Sequence, residues 1–232
     1  MPKVFLELSR SDKKNQSIAY THLGNVYKTR GKLDTAIKFF KKSLAIEKEL
    51  GHKEGMAINY TNLAVVYEIL GKLGAAIENY SNSLNIDYEL NNKKGISENF
   101  ANLGNLYLTH GELDVAIEFF EKSLMIEEEL GRKEVIAANY SNLGNVHFTR
   151  GELSKAVEHY EKSLEIENEL KHMEGMAIQY ANLGNVYQTC GDLGRAVEYW
   201  KQSLVLFQQL GAKDRMVLVQ SWIDEPELND SN

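Results

Sequence analysis

Between residues 3 and 225 this chain has no proline; its two prolines are Pro2 and Pro226. Over that span nothing removes a backbone N–H or fixes φ against a helix, so long uninterrupted helices are open to it. Cysteine is almost as scarce: Cys190 stands alone, which excludes an intramolecular disulfide and suits a reducing compartment. Long apolar runs are missing too. None approaches the roughly 20 residues that span a bilayer, and the opening "MPKVFLELSR" lacks the apolar core of a secretory signal. These absences predict a soluble, cytoplasmic protein that engages no membrane. The six histidines, His22, His52, His110, His147, His159 and His172, form no i, i+4 pair, and Cys190 has no neighbouring ligand. No glycine-rich phosphate loop stands between a strand and a helix. No metal site, no cofactor and no catalytic constellation is expected, and the chain reads as a non-enzyme.

What the sequence has is a repeat. Written in lines of 40, its columns align without a gap: Leu23, Leu63, Leu103, Leu143 and Leu183 share one, and Ala36, Ala76, Ala116, Ala156 and Ala196 another. All 17 glycines fall in five columns, among them Gly31, Gly71, Gly111, Gly151 and Gly191. Within a unit the apolar spacing is helical. Tyr140, Leu143, Gly144 and His147 recur at i, i+3, i+4 and i+7, and Ala156, Val157, Tyr160 and Leu164, at i, i+1, i+4 and i+8, also share one helical face. Each unit is therefore two helices of about 17 residues. The column at Gly31 ends the first, and Gly51, Gly131 and Gly211, replaced by Asn91 and Lys171, end the second. Neither helix buries its stripe alone, so successive hairpins must stack.

These residues carry a family resemblance. Tyr20, Leu23, Gly24, Tyr27, Ala36 and Phe40, and again Tyr140, Leu143, Gly144, His147, Ala156 and Tyr160, resemble the tetratricopeptide (TPR) pattern. Two departures are the missing closing proline and a period of 40 instead of 34. The longer repeat with its "NLGN" phrase looks like the cell-polarity adaptors Pins and LGN, and more loosely like kinesin light chains and bacterial peptide-pheromone receptors. The resemblance implies an all-α, right-handed superhelix, an α-solenoid of antiparallel helix pairs. Its five units would be 17–50, 57–90, 97–130, 137–170 and 177–210. An N-terminal stub or cap helix (1–16), a capping helix (211–223) and an acidic, disordered tail (224–232) would flank them.

The phrase "SNLGNVHF" puts Asn142 and Asn145, both poor helix formers, inside a helix. At about 100° per residue, Tyr140, Leu143 and His147 form one stripe while Asn142, Asn145 and Thr149 lie on another face. The TPR resemblance makes that second face the inner wall of the superhelix. Stacking then sets Asn62, Asn102, Asn105, Asn142, Asn145, Asn182 and Asn185 as a ladder along one groove, with Asn25 near its start. A primary amide offers donors and an acceptor, matching the alternating groups of an extended peptide backbone. The small Thr21, Thr61, Ala101, Ser141 and Ala181 leave room for a guest, and Leu108, Phe148, Ile58, Ile69 and Ile178 supply apolar contacts. The alternative reading is that the amides bridge neighbouring helices as mortar.

The resemblance also covers chaperone-tail binders, which hold a terminal carboxylate with Lys and Arg. Here the corresponding places hold Thr21, Asn102 and Glu98, so no such tail is expected. Glutamates such as Glu118 and Glu158, each four residues before a lysine, are read as standing on the solvated outer face of second helices. Residues 11–50 carry nine Lys and Arg against four Asp and Glu, a net of +5, whereas 91–130 carry three against eight, a net of −5. Despite a basic patch at Lys38, Lys41 and Lys42, a formal net charge of −7 and the lack of a stacking platform argue against nucleic acid. The expected partner is a protein or an extended or partly helical peptide, bound by a scaffold or by a sensory module. Weak head-to-tail self-association is a further expectation from the uneven charge.

Overall fold

The computed structural model describes residues 2–229, and side chains over 12–224. Eleven α-helices and no strand occur among the described residues. They are α1 (Pro2–Thr29), α2 (Leu33–Leu50), α3 (Lys53–Ile69), α4 (Leu73–Glu89), α5 (Lys93–Thr109), α6 (Leu113–Leu130), α7 (Lys133–Thr149), α8 (Leu153–Glu169), α9 (Met173–Thr189), α10 (Leu193–Leu210) and α11 (Lys213–Asn229). None is long and apolar enough to cross a membrane.

The expected helix length and stops are present. Helices α3, α4, α5, α7, α8 and α9 have 17 residues each, and the turn after each passes through a left-handed residue. At the end of α4, Asn91 stands at φ 50°, and the N–H of Asn92 reaches back to the carbonyl of Asp87 at 2.8 Å. Lys171 does the same after α8, at φ 54°, a conformation that costs a side chain about 1 kcal/mol and glycine nothing. The stub expected at 1–16 is not a separate element, because nothing between Pro2 and Thr29 interrupts α1. At the other end α11 continues to Asn229, past the expected boundary at 223. The rest of the expected tail lies outside the described residues.

The chain forms two compact units, Met1–Leu106 and Tyr107–Asn232. In the first, α1 packs on α2, α2 on α3 and α3 on α4. Its core contains Ala36, Phe40, Leu44, Leu63 and Val66, with Tyr27, Tyr60 and Tyr67 around it. In the second, α6 to α11 pack each on the next, through clusters centred on Phe120, Tyr160 and Trp200. The alanine column is fully buried in every repeat, and so is the aromatic column, Phe40, Tyr80, Phe120, Tyr160 and Trp200. A buried ring of this kind contributes about 1.5–3 kcal/mol. The glycine of "NLGN" makes room for it: a Cβ on Gly144 would stand 2.5 Å from Tyr160 Cε1.

Candidate functional site

Each phrase is preceded, three residues earlier, by a polar residue that the ladder reasoning passed over: Asn59, Asn99, Asn139 and Gln179. Three helical positions amount to about −60° of rotation, enough to turn these side chains from an open face into the junction with the preceding hairpin. All four are buried. Asn59 Nδ2 donates to Ser43 Oγ at 3.0 Å and to the Gly55 carbonyl at 2.8 Å, and Thr21 Oγ1 donates to Asn59 Oδ1 at 3.2 Å. Asn99 repeats the arrangement with Ser83, Gly95 and Thr61, each at 3.0 Å. In the second unit Asn139 donates to Ser123 Oγ at 3.0 Å, and Ser141 and Gln179 exchange bonds of 3.2 and 3.1 Å. The serines fasten the same seam to backbone: Ser83, Ser163 and Ser203 donate to the carbonyls of Ala57, Ala137 and Ala177 at 3.1, 2.9 and 2.8 Å. This column is mortar. Thr21, Thr61 and Ser141 belong to it and are not idle spacers for a guest. The signal that could have found it was the serine column 16 residues before each amide.

The expected ladder divides in two. Asn62, Asn102 and Asn142 are half-buried, and among the described residues their amides bond to nothing else in the chain. Asn182, in the same column, donates weakly to Gln179 Oε1 at 3.4 Å. One turn on, the second asparagine is tied into its own repeat: Tyr160 Oη donates to Asn145 Oδ1 at 2.8 Å, and Trp200 Nε1 to Asn185 Oδ1 at 3.1 Å. An indole N–H only donates, so the oxygen of Asn185 must face inward and its two N–H donors are left for the open side. Asn25 is half-buried, and the residue 15 positions on, Phe40, has no polar atom to offer, while Asn105 is half-buried with an interaction of its own. Val65 holds the place in the second repeat, where Tyr80 donates to Glu68 at 3.0 Å instead. Burial, with the nearby Glu68 carboxylate, pushes the Tyr80 hydroxyl well up, and burial alone does the same to Tyr160.

In the first unit Asn62 and Asn102 line one cavity of about 350 Å³ with Thr61, Asp87, Glu54 and Glu98. Ile58 joins them, 55% exposed, as an apolar contact. Leu108 and Phe148 stand otherwise. Both are half-buried, Leu108 packed against the Phe120 cluster and Phe148 against the Tyr160 cluster, so each serves the core before any guest.

The reading of glutamates as a solvated face holds for Glu118 and Glu158, which pair with Lys122 and Lys162 at 2.5 and 2.7 Å. It fails for Glu47, Glu127 and Glu167. These, with Asp87, are buried at the ends of second helices. Each carboxylate meets the side chain five residues on: His52 Nδ1 at 2.6 Å from Glu47, Asn92 Nδ2 at 2.7 Å from Asp87, Arg132 Nε at 2.6 Å from Glu127, and His172 Nδ1 at 2.6 Å from Glu167. The sequence periodicity counted them as polar and so placed them outside; their partners, not their hydropathy, decide their burial.

His147 packs as expected in the tyrosine column, stacked on His159 with centroids 5.0 Å apart and bonded to Glu152 at 2.7 Å. Burial, with His147 and Lys162 nearby, lowers His159 to about 4. Among the described residues no group of three or more ligating side chains could hold a metal ion.

Residues 15–89 and 95–169 match a tetratricopeptide repeat family, and residues 177–210 match another of the same description. No curated protein sequence matches significantly. Among solved structures, BtubC (BKLC) from P. vanneervenii superposes with a TM-score of 0.75 at 18% identity, over 89% of this chain and 92% of that one. A putative kinesin light chain with nearly identical TPR-like repeats from Podosopora anserina gives 0.70 at 19%, over 85% and 97%. A signal transduction ATPase with a tetratricopeptide repeat sensor, from Pyrococcus horikoshii, gives 0.82 at 18%, over 96% of this chain but 34% of that one. At these identities the likeness is one of fold.

Proposed function

Since this chain belongs to the tetratricopeptide repeat family, we propose that it is a non-enzymatic, cytoplasmic scaffold that binds an extended or partly helical peptide along its first-type helices. The observation that carries this is the column Asn62, Asn102 and Asn142, whose amides spend nothing on the fold. An unpaired amide on a helix costs helix propensity and returns no internal bond, so its use lies with a guest that brings both donors and acceptors. Asn145 and Asn185 add donors from fixed positions, and Ile58 adds an apolar contact. Random dodecapeptides displayed on phage and selected on the full chain supply the test. The selected peptides must lose most of their affinity for the triple variant Asn62→Ala, Asn102→Ala, Asn142→Ala; unchanged affinity overturns the reading.

A second reading, weak head-to-tail self-association, has its own observation. Leu23 and Val26 on α1 are 40% and 44% exposed, while Leu63 and Val66 or Leu183 and Val186 in the same columns are buried. An uncovered stacking face on a basic repeat fits an acidic surface of another copy, in a contact that need not close and that salt weakens. Light scattering showing one mass at every concentration in low salt ends that reading.

A further inference from the structure

The four buried carboxylates at the repeat junctions are not equivalent. Glu47 and Glu167 meet an imidazole and Glu127 meets the Arg132 guanidinium, in an ion pair. Asp87 alone among them meets only neutral groups: the Asn92 and Asn99 amides at 2.7 and 2.9 Å, and Ser83 Oγ at 3.5 Å. It is 3% exposed, and among the described residues no cation pairs with it. Burial holds its carboxyl above the usual aspartate range, Asn92, Ser83 and Asn99 pull it down, and Glu98 adds to the rise. Asp87 is also one methylene shorter than its sisters, and the cavity of about 350 Å³ opens beside it. Glu54 and Glu98 stand on its walls against a single lysine, Lys94, which lies 3.8 Å from Glu98.

We propose that this cavity is the subsite for a basic side chain, arginine or lysine, of the peptide in the groove, supplying from outside the cation that Arg132 supplies to Glu127 from within. The inference rests on the groove reading above, because the same cavity holds Asn62 and Asn102. A cationic head is strongly attracted to a desolvated carboxylate whose hydrogen bonds come only from neutral donors. Its aliphatic stem runs past Ile58. The volume lies at the small end of ligand sites, about 300–1,000 Å³, and suits one side chain rather than a whole ligand.

Dodecapeptides selected on the full chain by the same display are resynthesised with free termini and, separately, acetylated and amidated so that neither terminus carries charge, and both forms are measured by fluorescence anisotropy. The selected set is expected to share one Arg or Lys, and replacing an arginine there by citrulline should weaken binding about tenfold or more, as for a hydrogen bond between charged partners. Two variants separate the subsite from the groove. Asp87→Asn removes the charge, and Asn92→Arg installs the internal cation that its sister junction already tolerates. In both, arginine and citrulline peptides should bind alike. Selected peptides without a shared basic residue, or a basic preference that survives in both variants, overturn the subsite and leave the groove standing. Should only peptides with a free N-terminal amine bind, the side-chain assignment is overturned. If no peptide is selected at all, the groove reading fails and the subsite with it.

Discussion

Asn139 and Asn142 lie three residues apart on α7 and have opposite fates. Asn139 is 1% exposed and donates to Ser123 Oγ at 3.0 Å; Asn142 is half-buried and, among the described residues, bonds to nothing else in the chain. Asn139→Ala strands a buried serine and should cost about 1–3 kcal/mol. Asn142→Ala replaces a poor helix former by the best one and should leave stability unchanged or raise it by about 0.5 kcal/mol. Chemical denaturation of the two variants side by side checks the pair; equal losses would mean that both columns are mortar.

Asn145 belongs partly to each class. Its oxygen accepts from Tyr160 at 2.8 Å, so Asn145→Ala and Tyr160→Phe should each cost about 0.5–1.5 kcal/mol. Since both remove one bond, the double variant should cost clearly less than the sum of the two. Additive losses in that cycle would show that the bond contributes nothing.

Lys171 follows α8 at φ 54°, where three of the sister turns that close second-type helices use glycine: Gly51, Gly131 and Gly211. Lys171→Gly relieves the Cβ, offset by glycine's greater freedom when unfolded, for a net gain of about 0.5–1 kcal/mol. A melting temperature that falls instead would mean that the lysine side chain holds the turn.

Acid should loosen the second unit through His159. Its folded value is lowered to about 4 from 6.5, so between those values the unfolded chain binds the proton and the folded one does not. Stability is therefore lost as pH falls from about 6.5 towards 4. The groups that face the ring are His147, Tyr140, Glu158, Lys155 and Lys162. His159→Phe, the residue found at Phe39 and Phe119 in this column, should flatten that part of the pH profile, followed by thermal melts between pH 7 and pH 4.5. An unaltered profile would place the acid sensitivity in other groups.

The repeat, the helix lengths and the stops at Gly31 or Asn91 were legible because each is a column property that recurs in every copy. The buried Ala36 and Phe40 columns were legible for the same reason. What the sequence concealed was the role of individual polar residues. Glu47 and Glu118 are chemically alike and both lie on second-type helices, yet one is buried beside His52 and the other is open beside Lys122. Hydropathy gives them one value, and only the neighbour across the turn distinguishes them. Likewise Asn59 and Asn62 differ by about 60° around a helix, a rotation that separates junction from open face only once the packing of the next hairpin is known. The shortening of Asp87 and the neutral Asn92 were visible as letters, but a missing cation has meaning only beside Arg132 in the same place.

The central claim, that the free asparagine column serves a guest and not the fold, is tested most directly by one paired measurement on the variant Asn62→Ala, Asn102→Ala, Asn142→Ala. Its melting temperature should equal or exceed that of the wild type while its affinity for groove-selected dodecapeptides drops by about tenfold or more, amide contacts to the peptide backbone having been lost. A destabilised variant that binds those peptides as tightly as the wild type would contradict the account.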